Sequence, residues 1–156
     1  MSRRNKPQRR ELLPDAIYND VEVARFINRL MRRGKKSIAE KILYSALEQL
    51  KGQSDEPILQ AFHRVLQKAR PLVRVKARRV GGSTYQVPIE VGEYEGIAIV
   101  SRWLIANAKK RKGRSMEEKL YQEFLETIKG QSATLKQRED THRMAEANKA
   151  FAHYRF

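Results

Sequence analysis

Arg74, Lys76 and Arg78 recur at every second position, Arg79 follows directly, and the pair Gly81-Gly82 stands just beyond. Guanidinium and ammonium groups in a row hold phosphate by charge and hydrogen bonding. They bring no nucleophile and no redox couple, so the chemistry on offer is recognition of a polyanion. Val73, Val75 and Ala77 alternate with the cations, and past the glycines Tyr85, Val87, Ile89 and Val91 again fall two apart. Period-two alternation broken by paired glycines predicts a two-stranded arm over residues 72–92 with one apolar and one cationic face. Matching the apolar faces requires Val73 opposite Ile89, Val75 opposite Val87 and Ala77 opposite Tyr85. That register predicts a three- or five-residue loop or a glycine bulge. An isolated ribbon is marginal on its own, so the tip is expected to be mobile until a ligand binds, with Tyr85 placed to touch a base or ribose.

Other reactive patterns carry less. The absence of cysteine excludes disulfides, thiolate zinc sites, iron–sulfur clusters and thiol nucleophiles. His63, His142 and His153 are too dispersed to ligate a metal. Gly81-Gly82-Ser83-Thr84 lacks the lysine, the spacing and the following helix of a phosphate-binding loop. Asp140 and His142 are two apart, which on a helix turns them to different faces. Glu117-Glu118 reads as the first turn of a capped helix, and Trp103 as a core residue. No catalytic residue, metal or cofactor is assigned.

The elements that must carry the cationic arm are helical. A stretch from 1 to 18 containing Pro7 and Pro14 reads as an extended basic arm. Asp20 suits a helix N-cap, followed by Val23, Ile27, Leu30 and Met31 on one face and Arg25, Arg29, Arg32, Arg33 and Lys36 opposite, with Gly34 as the stop. Ser37-Ile38-Ala39-Glu40 reads as a capping box ahead of a stripe of Ile42, Leu43, Ala46, Leu47 and Leu50. Pro57 opens a third helix with Ile58, Leu59, Phe62, Val65, Leu66 and Ala69 inward, ended by Pro71. After the arm, a fourth helix is expected from about Gly96 to Gly113. A fifth follows the capping box Ser115-Met116-Glu117-Glu118 and runs to Gly130. The last is expected from Ser132 towards Ala150, with Met144, Ala147 and Phe151 on its apolar side and Leu135 off it. The expectation is a mainly α, bundle-like domain of six helices with a protruding β-ribbon arm. It is a single unit over 1–156, with 132–156 as C-terminal helix and tail.

A formal net charge of +15 on 156 residues points to nucleic acid as the neutralising partner. The longest apolar run, Ile97-Ala98-Ile99-Val100, is too short for a bilayer, and no apolar segment follows the basic N-terminus, so a soluble intracellular protein with no membrane and no small-molecule substrate is expected. Lys35, Lys109, Lys110, Arg111, Lys112 and Arg114 extend the phosphate-binding surface. Neutralising six to ten phosphates predicts that affinity falls roughly 10³–10⁵-fold between about 50 and 200 mM salt.

Two segments, Lys76 to Pro88 and Arg138 to Arg155, resemble the bacterial form of the small-ribosomal-subunit protein seven family, and Gly34-Lys35-Lys36-Ser37 and Arg102-Trp103-Leu104 sit where that family has them. The resemblance spans essentially the whole chain. It implies a helical body with a β-ribbon, a primary binder of small-subunit rRNA that nucleates the head (3′ major domain), and a place at the subunit interface near exit-site tRNA and mRNA. It implies the small-subunit proteins numbered nine and eleven as neighbours, and residence in a cytoplasmic or plastid small subunit. Carried over by position, the rRNA-facing residues are Arg3, Arg4, Arg9, Arg10, Lys35, Lys36, Arg74, Lys76, Lys110, Arg111 and Arg114. Those facing tRNA and mRNA are Arg78, Arg79, Gly81, Gly82, Tyr85, Arg143, Asn148 and Lys149. The chain departs from the familiar pattern at Gly92-Glu93-Tyr94-Glu95-Gly96, where many relatives are basic. Translational autoregulation is an added possibility of such a protein. Two readings of other classes stay open at this point: an architectural DNA-clasping protein, disfavoured because Gly81-Gly82 offers no wedge, and an RNA-modifying enzyme, for which no reactive constellation is found.

Overall fold

Three phenylalanines from three helices meet edge to face at the centre of the molecule: Phe26, Phe62 and Phe124, with ring centroids 5.6, 5.8 and 6.0 Å apart. All three are fully buried, and edge-to-face contact sets each ring's positive rim on a neighbour's negative face. The computed structural model describes residues 11–52 and 56–154. Within them the helices are α1 (Val21–Leu30), α2 (Lys36–Lys51), α3 (Ile58–Ala69), α4 (Glu93–Lys110), α5 (Met116–Lys129) and α6 (Ala133–Ala147), followed by a 3-10 turn, Lys149–Tyr154. The ribbon strands are β1 (Val73–Val80) and β2 (Ser83–Glu90), inserted between α3 and α4. Helix α5 packs against α2, α3 and α4, which makes it the spine of the body. The expected six helices and the ribbon are all present.

Several helix ends form for the reasons the sequence offers. The Asp20 carboxylate accepts from the Val23 amide at 2.8 Å and also meets His63 Nε2 at 2.9 Å. Ser115 accepts from Glu118 N–H at 3.2 Å, and Ser132 from Leu135 N–H at 3.2 Å. Gly130, at φ 91°, closes α5 in the left-handed conformation that glycine adopts without penalty.

Other ends differ from expectation. Helix α1 stops at Leu30, because Met31 to Gly34 make the reversal into α2, with Arg33 and Gly34 both at positive φ. Arg32, Arg33 and Lys36 therefore do not share a helix face with Arg25 and Arg29. The capping box at Ser37 does not form. The cap position falls on Lys35, Ser37 lies inside the helix, and Glu40 instead pairs with Lys36 at 3.6 Å. Helix α4 begins at Glu93, ahead of Gly96, and ends at Lys110, before Gly113; the two acids favour its positive N-terminus. Leu135 is core and Met144 is exposed, the reverse of the expected α6 face. Trp103 is only partly buried and stands outside the core cluster. Residues 15–20 are not a free arm. Asp15 is buried and accepts from the Ile17 and Tyr18 amides and from the Tyr44 hydroxyl at 2.7 Å, fastening this segment to α2.

The ribbon register corrects the apolar-matching argument. Arg74 lies opposite Ile89, Lys76 opposite Val87 and Arg78 opposite Tyr85, joined by a plain two-residue turn. Turn chemistry decides: Gly81 at φ 58° and Gly82 at φ 89° form the doubly left-handed turn whose twist matches a hairpin. The ribbon is not a free-standing sandwich of two apolar faces. It packs against α6 and the 3-10 turn, which bury Val87 completely.

Candidate nucleic-acid interface

The ribbon presents its cations unequally. At its root, Arg74 pairs with Glu95 at 2.7 Å, and next to it Arg70 pairs with Glu93 at 3.2 Å. Glu93 and Glu95 thus serve the fold as partners for arginines and as part of the first turn of α4. Gly96 is required there, since a Cβ would come within 2.6 Å of Arg70 Cγ. Towards the tip, Lys76 and Arg79 are exposed and Arg78 is half-buried, and none of them has an ion-pair partner among the described residues. Gly81 and Gly82 have open space where a side chain would stand.

Tyr85 is not free at the tip. Its ring packs on Phe151 at 5.2 Å and on Tyr154 at 5.1 Å, and His153 lies 4.0 Å from Tyr154. The sequence offered the aromatics but no signal that they would meet. At the other end of this contact, His142 Nε2 accepts the Leu72 amide at 3.0 Å. Burial, and then the positive Arg138, lower the His142 pKa below its ordinary value. The same C-terminal segment carries Arg143, exposed and paired with Asp140, and Lys149, exposed. Asn148 closes α6, its Nδ2 donating to the Met144 carbonyl at 2.7 Å. Ribbon and C-terminal segment, distant in sequence, therefore form one surface.

A second cationic surface gathers the α1–α2 and α4–α5 connections. Lys35, Lys36, Lys110 and Arg114 are all exposed there. Arg32 and Lys109 come close enough that, after burial, the Arg32 charge is what pulls the Lys109 ammonium below its ordinary pKa. Arg111 has another place. Its Nε donates to the fully buried Glu123 at 2.5 Å and its Nη1 to Glu126 at 2.7 Å. The hydrogen bond to Glu126 leads in raising the Arg111 pKa above its ordinary value, and Glu126 is held below the carboxylate range by the same bond. Glu123 also accepts from Thr134 N–H at 3.2 Å and Thr134 Oγ1 at 2.6 Å. Asn107 Nδ2 donates to Thr134 Oγ1 at 3.1 Å, so α4, α5 and α6 are tied by one satisfied polar knot. Arg111 is thus engaged inside the fold. Arg3, Arg4, Arg9 and Arg10 lie outside the described residues.

No group of three or more His, Asp or Glu side chains is arranged to hold a metal among the described residues, and no helix there is long and apolar enough to cross a membrane. The arrangement can bind an extended polyanion on two cationic surfaces.

Comparison with known proteins agrees. A family model described as Ribosomal protein S7p/S5e matches residues 2–149. The chain is 53% identical over 156 residues to small ribosomal subunit protein uS7 of Lawsonia intracellularis, with 100% of both chains covered. It is 51% identical over 156 residues to that of Thermosynechococcus vestitus, again covering 100% of each. The uS7 protein of Petrotoga mobilis is 47% identical over 154 residues, 99% of either chain.

Proposed function

The chain belongs to the ribosomal protein S7p/S5e family, RNA-binding structural constituents of the small ribosomal subunit rather than enzymes, and on that premise we propose that it is a primary rRNA binder that nucleates assembly of the subunit head. The observation that carries this reading is the division of its cations. Lys76, Arg79, Lys35, Lys110 and Arg114 remain exposed on two surfaces with no ion-pair partner among the described residues, while Arg111 is taken up by Glu123 and Glu126 within the body. Such surfaces dock folded RNA by shape and phosphate position, with little base readout. In this reading Lys35, Lys36, Lys76, Lys110 and Arg114 meet rRNA of the 3′ major domain, joined by Arg3, Arg4, Arg9 and Arg10 and by Arg74 at the ribbon root. Arg111 contributes by fixing the loop that carries Lys112 and Arg114.

The joint surface of ribbon and C-terminal segment is the part proposed to lie at the subunit interface by the exit site. Arg78, Arg79, Gly81 and Gly82 would approach tRNA and mRNA together with Arg143, Asn148 and Lys149, with Tyr85 setting the distance between the two. A ribbon end without side chains suits close approach to a backbone. Small-subunit proteins nine and eleven are the proposed neighbours. Repression of its own messenger is proposed as a secondary use of the same surfaces.

The test is binding of the full chain to a transcript of the small-subunit head domain, against duplex DNA and an unrelated structured RNA at near-physiological salt. Selective binding, weakened by Lys35→Ala with Lys36→Ala or by Arg78→Ala with Arg79→Ala, is expected. Equal affinity for all three ligands overturns the reading. Equal affinity for its own leader and a scrambled leader overturns autoregulation alone.

A further inference from the structure

A groove of about 320 Å³ opens between the α1–α2 connection, the first turns of α2 and the start of α5. Its volume falls within the range of small-ligand clefts, about 300–1,000 Å³. Ile42 and Met116 lie along its floor, and Ile38 stands at its lip, 52% exposed on a surface otherwise rich in charge. Arg32, Lys35 and Lys109 form the rim, and no acidic side chain lines it. None of these three cations has an ion-pair partner among the described residues. An apolar trough ringed by uncompensated positive charge is complementary to a ligand with a flat apolar body and an anionic edge.

We propose that this groove receives one unstacked nucleotide of the bound RNA, with its base against Ile38, Ile42 and Met116 and its phosphate between Arg32, Lys35 and Lys109. This rests on the rRNA-binding reading and adds to it a defined subsite. Unstacked nucleotides are what proteins hold in single-stranded RNA. A thioether against an aromatic face is a favourable contact. The three polar side chains at the rim only donate hydrogen bonds, which suits the acceptor-only oxygens of a phosphate. Like-charge proximity supports the same occupant: Lys109 sits beside Arg32 with nothing acidic between them, and a phosphate relieves that repulsion.

The experiment uses the full chain and a head-domain transcript in which 6-thioguanosine and 4-thiouridine replace fractions of the guanosines and uridines. Irradiation is expected to give a cross-link on the peptides carrying Ile38 or Met116. Ile38→Gln, a neutral change at a half-exposed position, is expected to weaken transcript binding roughly tenfold with the salt slope unchanged and the melting temperature kept. Lys109→Gln is expected to lower the slope by about 1. Selective binding with no cross-link in the groove, and Ile38→Gln binding like the unaltered chain, overturns the subsite and leaves the rRNA reading standing. That is also the result expected if a protein segment covers the groove. Failure of the unaltered chain to prefer the head-domain transcript overturns both.

Discussion

At the end of α4 and near the tip of the ribbon the same side chain meets opposite surroundings. Arg111 is bound by two carboxylates, one of them wholly buried, and retains 18% of its side-chain exposure. Arg79 is exposed and has no acidic partner among the described residues. Both lie in strongly basic stretches of sequence. The first is part of how the body coheres; the second is charge left over for a partner. A count of positive residues does not separate the two, because what separates them is where Glu123 and Glu126 are carried by a different helix.

The largest effect expected from this contrast is on the body. Glu123→Ala leaves Arg111 half-paired in a partly buried site and Thr134 without its acceptor. Loss of one partner of a buried pair costs about 3–5 kcal/mol, a fall in melting temperature of roughly 10 °C for a chain of this size. A change of less than a few degrees in a thermal melt would mean that the knot is not what holds α4, α5 and α6 together. The mirror experiment is Arg78→Ala with Arg79→Ala. Folding stability is expected to stay within about 0.5 kcal/mol, while RNA affinity drops about tenfold per residue and the salt slope falls by about 2. Loss of stability here, or no loss of affinity, would erase the distinction between the two regions.

The contact of the ribbon with the C-terminal segment gives smaller, sharper tests. Tyr85→Ala removes two aromatic contacts of about 0.5–1.5 kcal/mol each. Faster amide exchange in β2 and the 3-10 turn, with the body unaffected, is the expected outcome. Acid should loosen the same contact. The folded-state pKa of His142 is depressed by burial and then by the positive Arg138, and the neutral ring is the form that accepts the Leu72 amide. The stability it adds is complete above the ordinary histidine value of about 6.5 and is lost as pH falls through the lower folded value. An NMR titration of the ring, followed alongside the Leu72 amide, checks both the direction and the link.

Much of the body was legible in sequence because its signals are local. Asp20, Ser115 and Ser132 each cap the helix that follows, and the stripes of α2 and α3 face the core as their periodicity requires, with Ile42, Ile58 and Leu59 at its edge. The misreadings share a cause: a local pattern was outbid by something not local. Ser37 matched a capping box, but the chain reversal at Arg33 and Gly34 starts α2 one residue before it. The ribbon register followed apolar matching, whereas two adjacent left-handed glycines fixed a two-residue turn and α6 supplied the cover that the matching was meant to provide. The site residues divided the same way. Exposed cations such as Lys35, Lys76 and Arg79 stand where a basic stretch implies, while the engagement of Arg111 and the ring packing of Tyr85 depend on partners 12 to 69 positions away in the chain.

The length of the ribbon sets how far its charges are insulated from the rest of the molecule. From Val73 at the root to Arg79 the strand advances roughly 20 Å, at about 3.3 Å per residue. The distance over which ions in solution extinguish a surface charge is about 8 Å at physiological ionic strength. Arg79 therefore lies more than two such lengths from the ribbon's root, where Glu93 and Glu95 stand. Acidic residues at the root, such as Glu93 and Glu95, leave the field at the tip essentially untouched. The two ends of the ribbon are free to change sign independently, one in the service of folding and the other in that of a ligand.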